Sequence, residues 1–214
     1  MITIEFKEKE AEFKAKVYRT VARYLDALLF RKKGAIIRDI RALVPEWIES
    51  QPEMMELLYN DGKVGSLGAE LGLPIGTGPN AVRAITNAVV DSIAIDITKI
   101  NKKTLNGGIT AKFMPATFID LLNIPEGTIR TEIGENLPWL KWLLMEGVGT
   151  IIVGYKFHFA RGGRSKGGYM TEGGVWKIPP QYSGTKENNF VTRALTAKKN
   201  EKQISEVFKR HIRS

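Results

Sequence analysis

Two histidines, one pair of nearby aspartates and one glycine-rich run are the places in this 214-residue chain where side-chain chemistry could be sought. His158 and His211 would have to act as metal ligands or proton carriers. Neither has a carboxylate at a spacing that favours a shared metal, so a site of the HExxH type is absent. Asp91 and Asp96 straddle an expected helix-to-strand junction, where a solvated strand edge accounts for them better than an acid/base pair does. The chain has no cysteine, which removes disulfides, thiolate metal sites and a cysteine nucleophile. The run RGGRSKGGYMTEGG, residues 161–174, invites a phosphate-cradle reading. It lacks the GxxxxGK(S/T) order, however, and stands between two expected strands instead of at a helix N-terminus. The residues thus offer no catalytic, metal or cofactor site, and they point away from an enzyme.

The same run reads better as a basic hairpin arm. Arg161, Arg164 and Lys166 are separated by glycines and Ser165, so they are held loosely and can approach a phosphate backbone without base-reading geometry. The other reading, a surface hairpin tip that touches nothing, stays open on the residues alone.

Charge supports a polyanion as partner. Residues 1–45 hold eleven Lys/Arg against six Asp/Glu, residues 46–155 eight against thirteen, and residues 156–214 thirteen against four, within a net charge of +9. Basic character therefore sits at the two ends, giving either a field that attracts polyanions or a positive face for an acidic face of another subunit. A hydrophobic content of 43% is enough for a real core. The N-terminal MITIEFKEKE carries charges where a signal peptide needs an apolar run, and no apolar stretch reaches the roughly 18 residues that span a bilayer. The expectation is a soluble protein made in the cytoplasm.

Several elements must position these residues. Phe13, Val17, Val21, Leu25, Leu28 and Leu29 recur at helical spacing, predicting an amphipathic helix over roughly 6–32. Ile36, Ile37, Ile40, Leu43, Val44, Trp47 and Ile48 repeat the pattern after Gly34, so residues 1–60 read as a helical hairpin or bundle with a short third helix after Pro52. Residues 61–80 hold six glycines and read as a loop-rich boundary. Residues 81–214 form the second part. A helix capped by Asn80 leads there into a strand with Ile93, Ile95 and Ile97, and LNGG, 105–108, turns it into an antiparallel hairpin. TIRTEI, 128–133, is a third strand candidate, and 137–145 a short helix on which Trp139 and Trp142 crowd Leu140, Leu143 and Leu144. TIIVGYKFHF, 150–159, is a strand whose partner is GGVWKI with Trp176, across a long loop from Phe159 to Val175. Pro179 and Pro180 then remove two backbone donors and turn the chain away from the sheet, and Phe190 anchors a basic amphipathic C-terminal helix back on it. The fold class is α+β: an N-terminal helical region, then a small antiparallel sheet flanked by helices, with a long β-hairpin loop.

The succession PWLKWLLMEGVGT (138–150), a β-hairpin with a long variable loop, two prolines with a polar turn, and NNFVTRALTAKKNE (188–201) resembles the neck or tail-completion proteins of long-tailed bacteriophages. In that family an aromatic-rich helix ends in a Glu-x-Gly-Thr-like turn. Here the turn is Glu146-Gly147-Val148-Gly149-Thr150, with two extra residues, and the last helix begins Asn189-Phe190 where a proline is usual. The resemblance covers roughly residues 85–212 and implies a virion structural protein that joins head and tail as a homo-oligomeric ring. It implies hairpin loops directed to the DNA channel, so that Arg161, Arg164 and Lys166 would touch genomic DNA non-specifically. Trp139, Trp142, Trp176, Pro179, Pro180 and Phe190 would serve packing and assembly. Other neck, connector or tail proteins would be partners, with no membrane, cofactor or catalysis involved. The N-terminal helices, outside the resemblance, are expected to pack on a neighbouring subunit or another neck protein. The alternative is a nucleic-acid-binding protein without sequence preference that forms no ring.

Overall fold

A computed structural model of the protein describes residues 9–59, 64–114, 117–130, 136–147, 149–161, 163 and 165–213. Its axis is a single helix, α1 (Glu10–Glu49), and not the expected hairpin of two helices. The reason lies in phase. Leu29 and Ile36 are seven residues apart, two helical turns, so the two apolar stripes share one face and a reversal at Gly34 would have split them. One exposed glycine inside a helix costs about 1 kcal/mol, less than burying a single core side chain yields. Pro45 is also accommodated, two and three residues before the almost fully buried Trp47 and the fully buried Ile48.

After α1 come α2 (Pro52–Leu58), α3 (Leu67–Glu70) and α4 (Gly78–Asp91). Helix α4 starts two residues ahead of the expected Asn80 cap, because Pro79 suits the first turn of a helix, where its missing N–H has no partner to lose. Strands β1 (Ala94–Thr98) and β2 (Gly108–Lys112) pair antiparallel, with Ile95 opposite Ala111 and Ile97 opposite Ile109. A short α5 (Ile119–Leu122) and a 3₁₀ turn (Pro125–Gly127) lead to the two-residue strands β3 (Ile129–Arg130) and β4 (Asn136–Leu137). The remainder of the expected strand TIRTEI, residues 131–133, lies outside the described residues. Helix α6 (Trp139–Lys141) runs into a π-helical turn, Trp142–Glu146. Strands β5 (Thr150–Phe159) and β6 (Gly168–Lys177) follow, and the C-terminal helix is two helices, α7 (Phe190–Thr196) and α8 (Lys198–Arg213), broken where Ala197 adopts extended backbone.

The architecture is α+β, but the strands form three separate two-stranded antiparallel ribbons where one small sheet was expected. Each ribbon is a local hairpin. The first leans on the middle of α1, where Ala22, Leu29 and Ile100 form a small apolar cluster. The main core gathers Ile36, Ile40, Val44, Trp47 and Ile48 from α1 with α2, α4, α6, α7 and α8. Leu67, Leu71 and Leu73 of the glycine-rich segment belong to that same core. The second half of α1 is therefore the interior of its own chain, and only the first half is left for contacts elsewhere.

Candidate functional site, a two-stranded arm

Strands β5 and β6 pair from Phe159 opposite Gly168 down to Thr150 opposite Lys177. Beyond its own two strands, the ribbon packs extensively on no other element among the described residues. It is rooted at one end: Trp176 and Ile178 are 3% and 2% exposed, while Val153, further out, is 80% exposed. The loop is shorter than expected, 160–167, because Tyr169, Met170 and Thr171 pair with His158, Phe157 and Lys156 in place of belonging to it. Gly173 and Gly174, read as loop residues, mark an irregularity in the ladder together with Gly154 of the expected strand 150–159. Gly154, Gly173 and Gly174 all have φ near +90°, where side-chain-bearing residues are strained, and the register shifts between Val153 and Tyr155.

Because facing residues of an antiparallel pair share a face, the ribbon sorts its side chains. Tyr155, Phe157, Phe159 and Met170 lie on one face, with Glu172 opposite Tyr155 at its inner end, and Lys156, His158, Tyr169 and Thr171 on the other. The Phe157 and Phe159 rings meet edge to face at 5.2 Å. On the polar face, His158 stacks on Tyr169 at 5.5 Å, and its Nε2 lies 2.8 Å from Thr171 Oγ1. Tyr155, Phe159, Tyr169, Met170 and Val175 remain exposed. An isolated two-stranded ribbon with an open apolar face is marginal by itself and is suited to burial against another surface.

At the tip, Arg161 and Lys166 are exposed and have no ion-pair partner among the described residues, whereas Arg164 lies outside those residues. The tip is more ordered than a loose arm. The Lys166 N–H donates to the Gly163 carbonyl at 3.2 Å, Ser165 is buried, and a side chain at Gly163 would run into the Gly168 carbonyl. Lys166 itself takes φ of +54°.

The root explains the aromatic and proline residues of 173–200. Pro179 and Pro180 lead into a turn in which the Tyr182 N–H donates to the Pro179 carbonyl at 2.9 Å. Gly184 then presses against the π-helical turn so closely that a Cβ there would land on the Leu143 carbonyl. Its own carbonyl accepts from the Gly147 N–H at 2.8 Å. Asn189, fully buried, caps α7 by accepting from the Thr192 N–H at 2.9 Å and donates to the Leu144 and Thr185 carbonyls. Phe190 and Trp139 are completely buried, Trp142 is half-buried, and the Trp139 indole N–H donates to the Glu126 carbonyl at 2.9 Å. These side chains are thus committed to holding the arm's base inside the chain.

The other candidate groups are dispersed. Asp96 pairs with Lys112 at 2.5 Å, and the hydrogen bond from that lysine holds its carboxyl below the usual range. His211 lies 2.8 Å from Asp39, tying α8 to α1. Among the described residues, no group of His, Asp and Glu could hold a metal ion, and no helix is long and apolar enough to cross a membrane. No family model, curated protein or solved structure matches the chain. What sequence reasoning missed is the exposed apolar face of the arm. Its signal was the strict alternation Tyr155-Lys156-Phe157-His158-Phe159, which marks a ribbon with one apolar side.

Proposed function

We propose that this chain is a structural protein of the neck of a long-tailed bacteriophage, made in the host cytoplasm and assembling with copies of itself into a ring around the DNA channel between head and tail. The observation that carries the reading is the arm. A ten-residue ribbon exposes Tyr155, Phe159 and Met170 on one face, while its root is locked by Trp176, Gly184 and Asn189. That is the construction of an element meant to lie on another molecule. In a ring, each tip would bring Arg161 and Lys166 toward DNA, and repetition would add up contacts that are weak singly. The sequence resemblance over residues 85–212 gives the reading its setting.

A nucleic-acid-binding protein that forms no ring is the second reading, favoured by the basic charge gathered at both ends of the chain. Particles made with Tyr155→Ser, Phe159→Ser and Met170→Ser together distinguish the two. On the neck reading, the wild-type chain labels the head–tail junction in purified particles, and the folded triple variant is left out of them. A wild-type chain absent from purified particles overturns it.

A further inference from the structure

The first half of α1 and the connector between β1 and β2 enclose two adjoining depressions, of about 470 and 410 Å³, that share Lys102. Lys14, Arg19 and Arg23 line them from the helix; Lys99, Lys102 and Lys103 line them from the connector. All six are exposed, and none has an ion-pair partner among the described residues. Lys14 reaches over the Tyr18 ring at 5.6 Å. On the helix wall, Ala11, Ala15 and Ala27 are small enough to let a backbone approach closely.

The connector is built in place, which distinguishes this groove from a scatter of surface lysines. Asp26 of α1 accepts from the Ile100 N–H at 2.8 Å, and Ile100 itself packs with Ala22 and Leu29. Asn101 then accepts from the Lys103 and Thr104 N–H groups at 2.8 and 3.2 Å, fixing the turn that presents Lys102 and Lys103. Gly107, at φ of +143°, passes so near the Lys99 carbonyl that a Cβ would sit 2.6 Å from it. Three lysines are thereby held opposite two arginines and a lysine on a rigid helix.

We infer that this groove binds the phosphate backbone of duplex nucleic acid without reading its bases, and does so whether or not copies of the chain close into a ring. Lys14 to Arg23 spans about 14 Å of helix, long enough for a short run of consecutive phosphates of one strand to lie along the groove. Of the middle segment's carboxylates, Glu53, Asp96 and Glu146 are paired with Arg193, Lys112 and Lys141 within the chain, and an acidic face of another copy is the competing occupant that loss of self-association with an unchanged Kd would reveal.

The test uses the full chain and a fluorescent mixed-sequence DNA duplex, with Kd measured over a range of salt. Replacing Arg19, Arg23, Lys102 and Lys103 by Ser should weaken binding about tenfold or more and flatten the slope of log Kd against log salt by about 3 to 4. The melting temperature should hold, since all four side chains are exposed. Arg19→Lys with Arg23→Lys should keep the slope, and Arg161→Ser with Lys166→Ser should leave most of it. Asp26→Ala is the sharper probe. It raises the net positive charge, so a diffuse field predicts tighter binding, whereas loss of the connector's anchor predicts weaker binding. The inference is overturned if wild type binds no DNA at low salt, if the groove variant keeps the full slope, if it loses self-association with its Kd unchanged, or if Asp26→Ala binds more tightly.

Discussion

Trp139 and Gly184 fix the base of the arm in opposite ways, one by filling space and the other by leaving none. Trp139 has no exposed surface and uses its indole N–H on the Glu126 carbonyl, so Trp139→Ala should cost about 3–5 kcal/mol in denaturant unfolding. Trp142→Ala, at a half-buried site, should cost less. Glu70 is the titratable residue whose setting is least ordinary. Its side chain is buried in α3, one of its carboxylate oxygens has no hydrogen-bond partner, and burial pushes its pKa up to about 7. A carboxyl raised in the folded state favours folding most below its unfolded value, and that contribution is lost as pH rises through 7. Glu70→Gln should therefore stabilise the protein by on the order of 1–3 kcal/mol above neutral pH and do little in acid, as thermal melts across pH would show. An equal gain at both ends of the range would mean that the carboxyl's charge is not what burial penalises.

At the scale of elements, α1 divides into two halves with different work. Ile36, Ile40, Val44, Trp47 and Ile48 are essentially inaccessible, and burial of five such side chains is worth about 10 kcal/mol, comparable to the whole stability of a domain. A chain lacking residues 1–50 should fail to fold. One lacking residues 1–20 should still fold, with its helical circular dichroism reduced only by the deleted turns of α1, and lose affinity for DNA, because it lacks Lys14 and Arg19 of the groove. The sequence showed both halves as stripes but not their union, since Gly34 looked like a break until the seven-residue step from Leu29 to Ile36 was counted. Strands β1, β2, β5 and the second half of β6 were legible from alternation and the LNGG turn. The extent of β6 was not, because Gly173 and Gly174 look like loop residues and act as an irregularity in a ladder. The groove was invisible for another reason: Lys99, Lys102 and Lys103 lie more than seventy positions from Arg19 and Arg23, and they are brought together by the packing of Ile100 on Ala22 and Leu29 and by the Asp26 hydrogen bond to Ile100.

On the scale of the whole molecule, exposed cations gather in the groove between α1 and the β1–β2 connector and at the tip of the arm, while Glu53, Asp96 and Glu146 of the middle segment are spent on internal pairs. An assembly with DNA at its centre would give both surfaces one kind of partner, and the arm's apolar face would supply the contact between copies. That contact is the central claim. Light scattering on the purified full-length chain, with and without Tyr155→Ser, Phe159→Ser and Met170→Ser, tests it most directly. The account predicts one closed multimer of defined mass for the wild type and a folded single chain for the variant. A wild type that stays a single chain at every concentration, or a variant that forms the same multimer, would contradict it.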